Sequence, residues 1–203
     1  PLRSDDIHSG QITRYVYDGE DLLLAYDSTN QLTHSFTHGP GIDEPLALHD
    51  TALNQSFFYH ADGLGSITHL SDSTGNTIES YAYDSFGNII QQTGTLSNPF
   101  TYTARELDLE SGLYFYRARY YDPRVGRFIQ EDPVGLAAVD LNYYRYVSNN
   151  PLISIDPYGL WECRRGFINC NGLVEGKIKN ALEKNDPIIP KHLLDLAAVK
   201  IRQ

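Results

Sequence analysis

The feature that most constrains this chain is a short unit that recurs along it, in which a tyrosine-bearing strand runs into an aspartate. Tyr59-His-Ala-Asp62 and Tyr81-Ala-Tyr-Asp84 are each followed by glycine three positions later, at Gly65 and Gly87. Tyr15-Val-Tyr-Asp18 and Tyr120-Tyr-Asp122 are variants. Around these units, apolar or aromatic residues alternate with polar ones over Ile12–Tyr17, Gln31–Phe36, Ser66–Leu70, Thr77–Tyr83 and Phe100–Thr103. A period of two places successive side chains on opposite faces of a strand. Asp18-Gly19, Asp62-Gly63, Thr74-Gly-Asn76 and Phe86-Gly-Asn88 supply residues that tolerate the positive φ of tight hairpins. The pattern predicts a mainly β fold of stacked antiparallel hairpins. The aspartates cap their turns, and the tyrosine rings stack along a sheet face with hydroxyls reaching solvent or a partner.

Charge divides the chain at one place. Residues 1–160 hold eight arginines, no lysine and twenty-one acids, a balance of −13. Residues 161–203 hold eight basic residues and five acids, a balance of +3. All five lysines lie after Leu160 and all fifteen tyrosines before it, which marks two segments of different role. A net charge of −10 argues against non-specific nucleic-acid binding by the whole chain. No apolar run is long enough to span a bilayer, and no signal-peptide core is visible. The chain contains no Met, so it reads as a piece of something longer. Cys163 and Cys170 are too few for a disulfide framework and have no paired His. Two free thiols are preferred over a local disulfide, and no metal or other cofactor is expected.

Tyr81-Ala-Tyr-Asp-Ser-Phe-Gly-Asn88 resembles the YD repeat of Rhs proteins, toxin-complex C subunits and teneurins. Gly112-Leu-Tyr-Phe-Tyr-Arg-Ala-Arg-Tyr-Tyr-Asp-Pro-Arg-Val-Gly-Arg-Phe128 is similar to the Rhs-associated core. Asp132-Pro-Val-Gly-Leu136, Asn142-Tyr-Tyr-Arg-Tyr-Val-Ser-Asn-Asn-Pro151 and Asp156-Pro-Tyr-Gly-Leu160 follow in the order that the family shows. The resemblance covers about residues 10–160. It departs from the family at Ala137–Leu141, where a glycine-bearing turn is more usual. It implies a spiralling β-shell over residues 1–111, a core over 112–160, and a variable tail over 161–203 that begins or links to a toxin payload. Asn149-Asn150-Pro151 and Asp122-Pro123 read as turns.

The pentapeptide Asp-Pro-x-Gly-Leu occurs twice, at Asp132 and Asp156. A single copy is a turn: Asp caps, Pro fixes φ and Gly supplies a left-handed position. Two carboxylates brought together can do more. They share one proton, so that one activates water while the other donates to the reacting peptide. The pair titrates as a unit, and the sequence leaves open which is base and which is acid. The resemblance implies self-cleavage after the second copy, between Leu160 and Trp161, by Asp132 and Asp156 with a core arginine. Arg119 is the first choice. Alternation places Arg117 on the same strand face, and Arg127 is a third candidate. Asp156 stands four residues before the cut, so Pro157 and Gly159 must bend the chain back tightly, and Leu160 is expected to fill an apolar pocket. The reaction is then intramolecular and single-turnover.

Beyond the cut, Val174–Lys184 and Lys191–Ile201 have helical spacing and predict a short α-helical tail. His192 and Asp195 read as a solvated helix face, and His60 and His69 as surface or stacking residues. The partners implied are the chain's own C-terminal toxin segment, N-terminal shell repeats, secretion machinery and an immunity protein. The setting implied is that of a secreted or delivered bacterial effector. The competing reading is a non-catalytic scaffold or adhesion module that binds glycans or a protein.

Overall fold

The computed structural model describes residues 2–8, 11–135 and 140–164. Both expected tail helices, with Cys170, His192 and Asp195, lie outside them, as do Leu136 and most of the Ala137–Leu141 departure. The chain divides into two compact units, one of residues 1–82 and 90–104 and the other of residues 83–89 and 105–203.

The first unit is a meander of antiparallel strands in sequence order: β1 (Leu2–His8), β2 (Gln11–Asp18), β3 (Asp21–Tyr26), β4 (Leu32–His38), β5 (Pro45–Asp50), β6 (Gln55–Ala61), β7 (Ile67–Ser71), β8 (Thr77–Tyr83) and β9 (Ile89–Thr93). Alternation selects its inner face. Phe36, Leu48 and Phe57 are opposed across β4, β5 and β6, and all three are buried. On the neighbouring strands Tyr59, Leu70 and Glu79 form a second row. Glu79 is fully buried yet satisfied: its Oε1 accepts from Gln92 Nε2 at 2.8 Å and its Oε2 from the Leu96 N–H at 2.9 Å. His60 and His69 stack across β6 and β7 with ring centroids 4.2 Å apart.

The turns explain the repeat. At Asp72, Oδ1 accepts the backbone N–H groups of Thr74 and Asn76 at 2.8 and 2.9 Å, while the Gly75 N–H donates to the Asp72 carbonyl. Asp27, Asp62 and Asp84 repeat this geometry. The residue three positions after the aspartate takes a positive φ, which is why glycine stands there at 65, 75 and 87 and asparagine at 30.

One expected strand is absent. Phe100–Thr103 runs into a 3₁₀ turn, Tyr102–Ala104, with Thr103 and Ala104 at φ of 51° and 56°. Its backbone is engaged by β7 instead: the Ile67 N–H donates to the Thr101 carbonyl at 2.9 Å, and the Thr103 N–H donates to Ser66 Oγ at 3.1 Å. Alternating residues here serve burial under a turn, which periodicity cannot distinguish from a strand.

The second unit is built on a four-stranded antiparallel sheet, β10 (Glu106–Asp108), β11 (Leu113–Tyr116), β12 (Arg119–Asp122) and β13 (Arg127–Phe128). Tyr114, Tyr116, Tyr121, Phe128 and Tyr146 are almost wholly buried and pack mainly edge-to-face or tilted. Their hydroxyls find partners within the chain. Tyr114 donates to the Gly87 carbonyl at 2.9 Å, Tyr121 donates to the Phe86 carbonyl at 2.7 Å, and Tyr116 pairs with Tyr146 at 3.1 Å. A buried phenol must find a partner, and backbone carbonyls of a neighbouring turn supply it. A left-handed turn at Val147–Asn149 precedes Pro151. The final pair, β14 (Ser154–Ile155) and β15 (Cys163–Arg164), folds the chain back across residues 156–162. Cys163 is disulfide-bonded, which corrects the preference for free thiols.

Candidate active site

The site grows from β12. Period two places Arg119 and Tyr121 on the inward face, so an arginine enters an aromatic interior. Its guanidinium lies over the Phe128 ring, 3.7 Å from the centroid. A buried cation requires counter-charges and acceptors, and it has both. Nη2 lies 3.2 Å from Asp132 Oδ2 and 3.3 Å from Asp156 Oδ2. Nε donates to the Gly159 carbonyl at 2.6 Å, and Nη1 donates to the Tyr143 carbonyl at 3.0 Å. One guanidinium nitrogen therefore bridges the two aspartates of the two Asp-Pro-x-Gly-Leu copies.

Each aspartate is held by its own turn. Asp132 Oδ1 accepts the Val134 N–H at 2.9 Å, and its backbone N–H donates to the Tyr143 carbonyl, the same oxygen that Arg119 uses. Asp156 is seated differently: its Oδ1 accepts the Leu160 N–H at 2.9 Å and the Trp161 N–H at 3.0 Å. The side chain thus lies directly against the nitrogen of the Leu160–Trp161 peptide. Leu160 and Trp161 are both buried.

Gly159 makes the bend possible. It sits at φ +64°, and a Cβ there would lie 2.5 Å from the Tyr116 carbonyl oxygen. Pro157 and Tyr158 are tied to the turn between β11 and β12: the Arg117 guanidinium donates to the Pro157 carbonyl and packs over the Tyr158 ring, and the Ala118 N–H donates to the Tyr158 carbonyl at 3.2 Å.

The structure brings Arg119, Asp132, Asp156, Leu160 and Trp161 together. Arg117 instead holds the Pro157–Tyr158 turn through the Pro157 carbonyl and the Tyr158 ring, against the expectation that it shares the strand face of Arg119. Arg117 is a turn residue with φ of 59°, not a strand residue, so the period of two does not run through it. Arg127 is exposed on β13 and makes no contact with either carboxylate. Asp122 caps its own turn and pairs with Arg124 at 2.8 Å. Sequence reasoning missed the Tyr143 carbonyl and the Phe128 platform. A backbone acceptor leaves no mark in residue type, whereas Phe128 lay in the quoted core motif without a role.

Electrostatics follow from burial. Desolvation pushes the carboxyls of Asp132 and Asp156 above the usual aspartate range, while the Arg119 charge and the backbone N–H donors pull the other way. The same desolvation lowers the Arg119 guanidinium, opposed by the two aspartates. This is a buried, cation-bridged carboxylate pair with one member on a backbone nitrogen. Among the described residues no group of three or more His, Cys, Asp or Glu is placed to hold a metal, and no helix is long and apolar enough to cross a membrane.

A β-meander of Asp-capped hairpins, followed in the chain by a tyrosine-packed core with such a pair, defines a YD-repeat shell segment. Residues 7–152 match the teneurin YD-shell family model, and the chain belongs to that family as an Rhs/YD-repeat core domain. It is similar to the tRNA nuclease WapA of Bacillus subtilis strain 168, at 38% identity over 161 residues, 75% of this chain and 7% of that protein. It is similar to the toxin protein Tse5 of Pseudomonas aeruginosa, at 36% identity over 103 residues, 51% of this chain and 8% of that protein. The crystal structure of TcdB2-TccC3-Cdc42 matches with a TM-score of 0.61 and 29% identity, over 74% of this chain and 8% of that one. The chain spans less than a tenth of the length of these relatives.

Proposed function

We propose that this chain is the closing segment of a toxin shell and cuts its own backbone between Leu160 and Trp161, freeing the segment that follows from covalent attachment. The observation that carries the reading is the double acceptance by Asp156 Oδ1 of the Leu160 and Trp161 N–H groups, while Asp156 Oδ2 shares Arg119 Nη2 with Asp132. A carboxyl at 3.0 Å from the departing nitrogen is in hydrogen-bond reach of the proton transfer that amide cleavage needs.

The chemistry divides between the two acids. Asp132 takes a proton from water as its oxygen bonds to the Leu160 carbonyl carbon. The proton shared by the pair then passes through Asp156 to the lone pair of the Trp161 nitrogen as that nitrogen turns pyramidal, its own N–H turns away from Asp156 Oδ1 and the C–N bond breaks. The products are a Leu160 carboxylate and a Trp161 amine. Arg119 keeps one carboxylate ionised beside its protonated partner and holds the Gly159 carbonyl, fixing the peptide one residue before the bond. Because both groups sit on one folded chain, orientation replaces substrate affinity. In this reading residues 1–111 are shell, 112–160 the cutting core and 161–203 the start of, or link to, a payload. The shell's partners are further N-terminal repeats, the delivery machinery, and an immunity protein for the payload.

The test is intact mass of the purified chain. Wild type resolves into two pieces split at Leu160–Trp161, and Asp132→Asn or Asp156→Asn stays whole over the time in which wild type is cut. A wild type that stays whole while folded removes the proposal and leaves the scaffold or adhesion reading. The rate of cutting falls as pH rises past the elevated carboxyl range, because the pair must retain one proton.

A further inference from the structure

The second unit carries a cleft of about 320 Å³ whose walls include Arg124, Arg127, Arg145, Asn142 and Asn149. Three of the eight arginines found before Leu160 converge there, in a stretch of sequence with a strong acidic excess. Two of the three are answered locally: Arg124 pairs with Asp122 at 2.8 Å, and Arg145 pairs with Asp140 at 2.7 Å. Arg127 is exposed and makes no ion pair or side-chain hydrogen bond with any described residue. It also stands directly opposite Arg145 in an antiparallel bridge. Like charges in that position repel and destabilise a strand pair. The acidic residue of the cleft wall, Asp84, is already engaged by the Phe86 and Asn88 N–H groups and by Asn88 Nδ2 at 2.7 Å. Asn142, which lines the cleft, uses its Oδ1 for the Tyr144 N–H, so its amide donor is not taken up by that bond.

A cation left without an anion, opposed to a second cation and flanked by amide donors, describes a receptor for a negatively charged oxygen group. The geometry points to an oxyanion-binding site, for a phosphate or carboxylate group, centred on Arg127 and Arg145 with Asn142 and Asn149 at its rim. A bound oxyanion accepts from both guanidinium groups and turns their repulsion into a bridge. The site is independent of the Asp132–Asp156 pair and of any cutting.

The test is a thermal melt of the full chain and of Arg127→Gln, in chloride buffer and with added inorganic phosphate or hexaglutamate at matched ionic strength. Without either anion, Arg127→Gln melts higher than wild type, because one of two opposed charges is gone. With phosphate or the acidic peptide, wild type rises saturably and Arg127→Gln rises by less than a tenth as much at equal concentration. Response to phosphate alone identifies a phosphoryl ligand, and response to hexaglutamate alone identifies an acidic polypeptide. The proposal is overturned if neither anion raises wild type above the matched chloride control. Equal shifts in the two proteins overturn it too. Arg14→Gln, whose side chain bonds to Asn30 at 2.7 Å, controls for loss of one surface charge.

Discussion

At Asp72 and at Asp156 the chain makes closely similar bends, with an aspartate first and a left-handed glycine three residues later. At Asp72 the carboxylate bonds the second and fourth following N–H groups and stays in water, where the Thr74 hydroxyl above all, and then these backbone bonds, hold it down to about 2. At Asp156 the bonds go to the fourth and fifth N–H groups instead, and the carboxyl is buried. Desolvation then outweighs the hydrogen bonds and pushes it up. The difference teaches how burial changes what a capping turn holds. A proline at 157 and a strand returning at Cys163 carry the chain over the carboxyl, which then lies on a peptide nitrogen inside the protein.

The sharpest way to break this contrast is to remove each carboxylate. Asp156→Asn slows cutting by about 10²–10⁴-fold, as loss of an acid–base group does, whereas Asp72→Asn leaves the rate unchanged. Mass spectrometry over time reads both. Arg119→Gln is the next largest effect. It leaves two buried carboxyls without their cation and destabilises the second unit by about 3–5 kcal/mol, measured by urea denaturation.

The glycines sharpen the comparison further. Gly75 has φ +88° and open space, while Gly159 has φ +64° with the Tyr116 carbonyl in the way. Gly75→Ala costs about 1 kcal/mol from its backbone conformation. Gly159→Ala adds overpacking of about 1–3 kcal/mol and displaces the Leu160–Trp161 peptide, so under the proposed reading it slows cutting as well. Equal losses at the two sites would remove the case for a tight bend at 159.

The smallest effect is in pH dependence, where the signs are opposite. Asp72 has a depressed carboxyl, so its contribution is present above the ordinary aspartate value of 3.8 and is lost as pH falls toward about 2. Asp156 has a raised carboxyl, so the folded state binds its proton more readily than the unfolded chain does. Its charge costs stability above the raised value, and that cost is relieved as pH falls toward 3.8. Stability measured against pH in Asp72→Asn and Asp156→Asn should therefore diverge from wild type in opposite directions across the acidic range.

Much of this was legible in residue order. Tyr-x-x-Asp with glycine following marked the hairpins, because only a few residues cap a turn or accept positive φ. Asp132, Asp156, Leu160 and Arg119 were named from motif and resemblance. Phe100–Thr103 was misread because burial under a turn mimics a strand's alternation. Arg117 was misplaced because the hairpin turns at that residue, and the exchange of strand for turn ends the period of two.

What the sequence determined by itself was local: which segments extend, where they turn, and which aspartates carry a Pro-x-Gly-Leu tail. Backbone sterics and short-range hydrogen bonds set those features, and both are encoded within about five residues. Tertiary structure alone decided which arginine bridges the pair, that the Tyr143 carbonyl holds both Arg119 and Asp132, and that Arg127 faces Arg145. Those outcomes depend on desolvation and on approach between residues far apart in the chain, and residue type carries no record of either.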